Sequence, residues 1–443
     1  MNQLKKLIQY VARHRYGFTL FAFLVAAAVT GVGCVWFMRG FELVLKHRLD
    51  FDSVGPWCWV TTPILFLIAA ELVRRIAPCA AGTGIPQAIF AAKHLESNTE
   101  RKLWPLYSPL TLGVKVLAIL IALAAGGSMG REGPTVHVGV CVFLIILIGF
   151  RRLSGISFDL RSGVVAGGAA GLAAAFNTPL AGVTFAIEEL TVDYFAGIKD
   201  YVVMAIIIAA LSAKTLTGEY GYFGRLIEPP DVPWFTTLLI GISGGVLGAV
   251  FSTGIIRGQR AVESLQRGLY RYTIPVILSL ALLLVAAMTG TRVLGPGNLV
   301  AQGLLKGEFS GWVLSYPFAK IAATLLTYWS GLAGGIFAPS LSIGSGLGSS
   351  IGHWMNVSVA GCALLGMAAF LSGTIQAPIT SFVIIFEMSG GHHEMLLPVM
   401  LASLIAFMTA RLLGAAHLYP TLSTGYQYLM ETPLTPAPPD RVS

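Results

Sequence analysis

Apolar runs long enough to cross a lipid bilayer recur along the whole chain. A transmembrane helix needs roughly 20 predominantly apolar residues. Runs of this order lie at about 17–39, 57–76, 110–128, 197–214, 234–256, 273–290, 312–330 and 394–413. Only 11% of the residues are charged, whereas a soluble domain carries roughly 25%. The sequence therefore predicts an all-α integral membrane protein that crosses the bilayer many times.

Between these runs lie apolar segments that are too short, or too interrupted by Gly and Pro, to span a bilayer simply. They are found at about 85–93, 132–150, 163–176, 179–190, 338–354, 359–373 and 377–388. Irregular backbone at membrane depth is tolerated only where it is buried in protein or lines a polar cavity. A bundle of tilted and broken helices is therefore expected, and this architecture is typical of a transporter or channel.

The formal net charge of +8 comes from short basic clusters between the apolar runs, such as Arg74 with Arg75 and Arg151 with Arg152. The positive-inside rule assigns such clusters to cytoplasmic loops, so they do not indicate nucleic-acid binding. We expect a cytoplasmic N-terminus with an amphipathic segment at 1–16, a transmembrane domain at 17–430, and a disordered, Pro-rich tail at 431–443.

Parts of the chain repeat one another. The sequence KVLAILIALAAGGSMGREGP, starting at Lys115, matches KIAATLLTYWSGLAGGIFAP, starting at Lys320. A second pair follows in the same order, at 167–189 and 366–388. Two inverted-topology repeats place a transport site at their interface, near the middle of the membrane. The expected halves are roughly 57–215 and 234–413.

Three Gly/Pro-rich breaks come immediately before helical patterns: GTGIP (82–86), GREGP (130–134) and GGIFAP (334–339). A helix N-terminus presents unpaired backbone N–H groups and a partial positive charge. Several such ends meeting in a low dielectric would bind a desolvated anion without the full positive charge that would trap it. The breaks therefore predict a site for a small permeant anion.

In this order, and over this length of chain, the three loops resemble the signature loops of the CLC chloride channels and proton-coupled chloride transporters. The resemblance runs from about residue 17 to about 425. It implies a prokaryotic-type CLC bundle without cytoplasmic regulatory domains, in a bacterial inner membrane, that moves chloride and protons without a cofactor. It also implies a homodimer with one pathway in each subunit, formed through helices at about 179–213 and 378–413.

The resemblance also implies the anion-binding residues. Thr83 stands where most members have serine, and its hydroxyl would donate to the central anion; the added methyl group leaves the ranking among anions open. Tyr419, in HLYP, matches the tyrosine that completes the site, and the backbone amides of Ile336 and Phe337 would add donors. The alternatives are that Thr83 only caps the following helix, and that Tyr419 is an ordinary interfacial tyrosine.

Glu132 is an ionisable residue at the start of a helix within apolar sequence, where a carboxylate is costly and by default functional. In the repeat alignment it faces Phe337, so the internal symmetry does not require an acid there. By the resemblance, Glu132 is the gating glutamate, whose carboxylate occupies an outer anion site until protonation releases it. The neighbouring Arg131 is expected to contribute its backbone N–H, with its side chain in a structural contact.

Glu188 and Glu189 form an acidic pair after FNTPLAG. Glu188 aligns with Glu387, which predicts two framework carboxylates satisfied by helix ends. Glu189 faces Met388 in the same alignment, and by the resemblance it is the internal proton-transfer glutamate of the exchangers. This residue favours an exchanger over the alternatives, a passive voltage- or pH-gated chloride channel or an exchanger for another small anion.

Other polar residues are expected to be structural. Lys115 and Lys320 recur symmetrically, which favours structural pairing or a broad positive field over direct anion binding. His137 is expected to pack or form a hydrogen bond rather than relay protons. The cluster His392, His393 and Glu394 lacks a fourth ligand, so no metal site is predicted. A nucleophile with a histidine or metal partner at motif spacing is not apparent, which argues against an enzyme.

Overall fold

The computed structural model describes residues 15–49, 54–190, 200–218, 232–265 and 268–431. The expected N-terminal segment and C-terminal tail fall almost entirely outside these ranges. The described residues form helices and turns, with two isolated backbone bridges as their extended pairings. The predicted all-α fold is confirmed.

The first part of the chain forms helices of very different lengths. They are α1 (Arg15–Leu49), α2 (Cys58–Ile76), α3 (Ile85–His94), α4 (Glu100–Tyr107), α5 (Pro109–Ala124), α6 (Glu132–Ser154), α7 (Leu160–Phe176), α8 (Pro179–Phe185) and α9 (Asp200–Thr217). A 3-10 turn at Pro78–Ala80 precedes α3. A π-turn at Ala186–Leu190 follows α8 directly.

The second part follows a similar order. Its helices are α10 (Trp234–Leu265), α11 (Tyr270–Thr289), α12 (Asn298–Leu305), α13 (Tyr316–Trp329), α14 (Phe337–Trp354), α15 (Val359–Ile375), α16 (Pro378–Met388), α17 (His393–Leu412), α18 (Leu418–Ser423) and α19 (Tyr428–Glu431). A 3-10 turn at Thr291–Val293 precedes α12, as the turn at Pro78–Ala80 precedes α3.

Seven helical stretches of the described residues are long and apolar enough to cross a membrane. They are Tyr16–His47, Glu100–Ala124, Glu132–Ser154, Asp200–Thr217, Trp234–Leu265, Tyr270–Thr289 and His393–Leu412. The protein is thus a multi-pass membrane protein. Large apolar side chains on these helices remain exposed, as expected where the neighbouring medium is lipid.

Two helix predictions were wrong in length. The segment 132–150 was expected to be short or broken, yet α6 is continuous over 23 residues. Its proline lies in the first turn, where the missing N–H costs nothing. The segment 312–330 was expected to be a long span, but α13 has only 14 residues. A separate 3-10 turn at Gly311–Leu314 precedes α13, and Pro317 lies in its first turn.

The two parts pack in corresponding ways. Helix α6 packs along α7 and α14 packs along α15, while α1 packs on α9 and α10 packs on α17. The packing of α1 on α9 thus corresponds to the packing of α10 on α17. Glycines permit the closest crossings: a Cβ at Gly139 would overlap the Gly167 carbonyl oxygen, and one at Gly344 would overlap that of Gly366.

Candidate anion-binding site

Backbone hydrogen bonds join the three Gly/Pro-rich loops to one another. Gly130 and Gly335 exchange two bonds, with N–O distances of 2.8 and 2.9 Å. These glycines are counterparts in the repeat, and reciprocal pairing of counterparts places the approximate two-fold axis between them. The Gly82 N–H donates to Leu332 O at 3.0 Å, and Gly82 O accepts from Gly334 N at 3.1 Å. The GTGIP, GREGP and GGIFAP loops therefore form one unit.

The buried side chain of Lys115 forms hydrogen bonds with backbone carbonyl groups at the start of the GTGIP loop. The Lys115 ammonium donates to Gly82 O at 2.7 Å and to Ala80 O at 3.0 Å. Two residues after Gly82, Gly84 adopts a φ of 100° and begins α3. A Cβ at Gly84 would overlap the Cβ of His137. Only glycine fits there, because the loop lies against α6 in a conformation that other residues avoid.

The second half repeats this clamp. The Lys320 ammonium donates to Val293 O at 2.8 Å and to Gly295 O at 2.6 Å. Gly297 then begins α12 with a φ of 82°. The prediction that Lys115 and Lys320 pair structurally is confirmed. His137 also has the expected bonding role, since its Nε2 donates to Leu106 O at 2.6 Å.

Thr83 lies at the junction of the GTGIP and GREGP loops and is 1% exposed. Its Oγ1 accepts a bond from Ile85 N at 3.3 Å, so part of the capping alternative holds. A hydroxyl can accept and donate at once, and its proton remains available for an anion. A Cβ at Gly133 would lie 3.1 Å from the Thr83 Cβ. Because Gly133 has no side chain, the space next to Thr83 stays open.

Tyr419 reaches the same region from α18. Its ring stacks on that of Phe337, with centroids 6.1 Å apart and planes 8° apart. The side chain is fully buried, and its hydroxyl has no hydrogen-bond partner among the described residues. An unpaired buried hydroxyl is costly, so this group fits a site that supplies an acceptor. Ile336 and Phe337 begin α14, where backbone N–H groups lack intrahelical acceptors.

Glu132 is the first residue of α6 and is fully buried. Its Oε2 accepts a bond from the backbone N–H of Ala338, at 3.3 Å, in the first turn of α14. A carboxylate from the first half therefore occupies a helix N-terminus of the second half, where anions are held. The adjacent Arg131 instead pairs with Glu42 of α1, at 2.6 Å. The donor Ala338 was not predicted, because only the fold brings α14 to Glu132.

Two other glutamates join the halves in a reciprocal way. Glu188 accepts bonds from Ile379 N at 3.0 Å and Thr380 N at 2.7 Å, which caps α16. Glu387 accepts from Leu180 N at 3.2 Å and Ala181 N at 2.7 Å, which caps α8. The prediction that these carboxylates are satisfied by helix ends is confirmed.

Glu189 has a different environment from its neighbour Glu188. It lies in the π-turn, is 2% exposed, and its Oε2 has no hydrogen-bond partner among the described residues. The residues that follow the π-turn, 191–199, lie outside the described ranges. Buried carboxylates without a partner are costly, so Glu189 is a candidate for a group that exchanges a proton.

A cavity of about 190 Å³ adjoins the GTGIP loop at Gly82. Gly82, Arg74 and Gln259 line it, together with Glu263 and Tyr328. Sequence reasoning did not single out these last two residues, which lie in α10 and α13. The cavity thus reaches Gly82, the residue that precedes Thr83 in the GTGIP loop.

Comparison with known proteins agrees with this arrangement. The voltage gated chloride channel family matches residues 65–411 of the chain. The H(+)/Cl(-) exchange transporter ClcA of Yersinia pestis bv. Antiqua (strain Angola) is 32% identical over 427 residues, covering 89% of this chain and 85% of that protein. The ClcA of Vibrio cholerae serotype O1 (strain M66-2) is 32% identical over 464 residues, covering 98% and 95%.

Solved structures share the fold at lower identity. A slow cyanobacterial Cl⁻/H⁺ antiporter superposes with a TM-score of 0.79 at 24% identity, covering 93% of this chain and 98% of its own. A eukaryotic CLC transporter gives 0.75 at 23%, covering 91% and 74%. A CLC-type fluoride/proton antiporter gives 0.74 at 20%, covering 91% and 97%. The chain belongs to the voltage-gated chloride channel family, the CLC proteins.

Proposed function

We propose that this protein is a secondary transporter that exchanges chloride for protons across a membrane. The observation that carries the proposal is the Glu132 carboxylate bonded to the N-terminus of α14. A carboxylate and a chloride ion compete for the same kind of backbone donor. Protonation of Glu132 would remove its charge and free that position for chloride, so the two ions would be linked at one residue. The relatives named as H(+)/Cl(-) exchange transporters support this function.

The central anion would be held by Thr83, Tyr419 and the amides of Ile336 and Phe337. The support is the convergence of neutral donors in a buried place: a threonine hydroxyl, an unpaired phenol and a helix N-terminus. Partial charges suit a transported ion, because binding must be reversible on each cycle. This donor set supports a transport role rather than an enzymatic one.

Protons would take a separate route through Glu189. The contrast with Glu188 supports this role: Glu188 is engaged by two backbone amides, whereas Glu189 Oε2 is buried without a partner among the described residues. A proton would pass from the cytoplasmic side to Glu189 and then, through transient water, to Glu132. Chloride would pass Tyr419, so the two routes would share only Glu132.

A passive chloride channel on the same fold is the second candidate, since the family description is that of a channel. Exchange of another small anion is the third, because Thr83 replaces the serine typical of the motif. Both alternatives keep the anion site and differ in proton coupling or anion ranking.

The assembly would be a homodimer in a bacterial inner membrane, with the N-terminus in the cytoplasm. Helices α8, α9, α16 and α17 support this arrangement by keeping large apolar side chains exposed. These include Ile207 at 48%, Leu404 at 41% and Leu397 at 74%.

Liposomes test the function in the proton-driven direction. Purified protein is reconstituted with equal chloride on both sides, and a pH gradient is imposed. We expect chloride to move against its own gradient until the two driving forces balance. Chloride that stays at equilibrium under a pH gradient, in vesicles with proven chloride permeability, would support the channel instead.

A further inference from the structure

Gln376 ends α15 in a backbone conformation that does not suit it. Its φ is 60°, in the left-handed region. Asparagine tolerates this region, whereas glutamine is less suited to it. The repeat alignment pairs Gln376 with Asn177, which ends α7 with a φ of 57°. The counterpart position therefore carries asparagine, which suits this conformation better, and the glutamine at 376 has a cost in free energy.

The length of the side chain explains the choice. The Gln376 Nε2 donates to the carbonyl oxygen of Ala415 at 2.7 Å, and the residue is only 3% exposed. An asparagine at the same backbone position is one methylene shorter and would not reach Ala415. The hydrogen bond thus spans from the end of α15 to the segment between α17 and α18.

That segment leads directly into α18, which carries Tyr419. The Gly414 N–H donates to Arg411 O at 3.0 Å and the Ala415 N–H donates to Ala410 O at 3.1 Å, so both bonds lead back to α17. Gln376 adds a bond from a third helix. Four residues beyond Ala415, the Tyr419 ring stacks on Phe337 and presents its unpaired hydroxyl.

We propose that Gln376 is a positioning residue for the anion site, because its amide fixes the segment that sets the place of the Tyr419 hydroxyl. The inference rests on the proposed function, in which Tyr419 donates to chloride. A small shift of a donor weakens a charge-assisted hydrogen bond strongly, whereas the stacked ring can slide with little loss. The unfavourable backbone conformation at Gln376 is thereby offset by the correct placement of the Tyr419 hydroxyl.

Two substitutions separate positioning from simple structural support. Gln376→Asn relieves the backbone conformation and loses the bond to Ala415. Gln376→Met keeps the length and the unfavourable conformation but removes the donor. Thermal unfolding in detergent and chloride binding by calorimetry are measured on both variants and on the wild type. Asn356→Gly is the control. Asn356 is exposed and has a φ of 54°, so glycine relieves a left-handed backbone conformation there without affecting the bond to Ala415.

We expect both Gln376 variants to bind chloride about tenfold more weakly, since about 1.4 kcal/mol corresponds to tenfold and one net hydrogen bond is of that order. Both variants lose the buried bond, so the methionine variant should unfold below the wild-type temperature, and the asparagine variant, whose backbone conformation is relieved, should unfold closer to it. Asn356→Gly should keep wild-type affinity. If affinity instead follows stability, so that Gln376→Asn binds chloride as the wild type does, the positioning role is refuted. A wild type that binds no chloride would refute the proposed function itself.

Discussion

The neighbouring residues Glu188 and Glu189 differ strongly in their hydrogen bonding. Glu188 caps α16 through two amides, while Glu189, one position later, is buried with an unpaired oxygen among the described residues. The π-turn at Ala186–Leu190 accompanies this divergence, and such turns are frequent at functional sites. Glu188 thus links the two halves of the protein, and Glu189 is the candidate for proton exchange.

Glu189→Gln should separate the two ions. The amide keeps the shape of the side chain but does not titrate, so we expect chloride transport to persist while proton movement against a gradient falls to background. Parallel chloride-electrode and pH-electrode recordings on liposomes measure both. Glu394→Gln, at an exposed position, is the matched control and should transport both ions normally. Exchange at the wild-type ratio in Glu189→Gln would move the proton entry elsewhere.

Thr83 and Tyr419 should act together on the anion. Each hydroxyl bond to a charged partner contributes about 1.5–3 kcal/mol, so Thr83→Ala with Tyr419→Ala should weaken chloride binding by at least about tenfold. Calorimetry, or anomalous scattering from bromide, measures the change. Thr83→Ser keeps the hydroxyl donor and should change the chloride affinity only slightly. Unchanged affinity in the double variant would show that the site lies elsewhere.

At the residue scale, the sequence identified the groups but not their partners. Glu132, Glu188 and Lys115 could be selected because ionisable residues in apolar sequence need a reason to be there. Their acceptors and donors are backbone groups of distant segments, such as Ala338 N, and backbone groups carry no signature in a sequence. Gln376 gave no signal at all, because its unusual φ is visible only in the fold.

At the element scale, glycines decide how closely helices cross. A Cβ at Gly344 of α14 would overlap the Gly366 carbonyl oxygen of α15, whereas Gly113 of α5 has nothing within 4 Å. Hydropathy patterns could not separate these two kinds of glycine. For the same reason, 132–150 was predicted to be broken: its glycines serve packing inside a continuous helix rather than ending it.

The two glycines give a matched pair of substitutions. Gly344→Ala forces the helices apart, and overpacking of this kind costs about 1–3 kcal/mol. Gly113→Ala meets open space and should leave the protein as stable or up to about 1 kcal/mol more stable. Thermal unfolding in detergent compares them. Equal melting temperatures would contradict the close α14–α15 crossing.

At the scale of the whole molecule, the approximate two-fold axis brings unlike residues together. Gly130 pairs with its own counterpart, and Glu188 and Glu387 cap each other's helices, so the framework is symmetric. The site is not: Glu132 aligns with Phe337 in the repeat, and Thr83 and Tyr419 lie outside the aligned segments. The repeat was predictable from the sequence, whereas the convergence of the asymmetric residues required the fold.

Association of two copies should bury the exposed apolar side chains of α8, α9, α16 and α17. We expect purified protein in mild detergent at micromolar concentration to be a homodimer, because these helices keep apolar side chains exposed that a second copy can cover. Mass photometry and chemical cross-linking measure the state. A monomer in both assays would count against this assembly.

The central claim is that chloride and protons are coupled at Glu132. The most direct measurement records both ions in the same liposomes, loaded with high chloride and placed in low-chloride buffer with the pH balanced. As chloride leaves the wild-type vesicles, we predict that protons enter against their rising gradient. Glu132→Gln should still release chloride but take up no protons, because its neutral side chain imitates the protonated gate. Proton uptake that persists in Glu132→Gln, or chloride release without proton uptake in the wild type, would contradict the account.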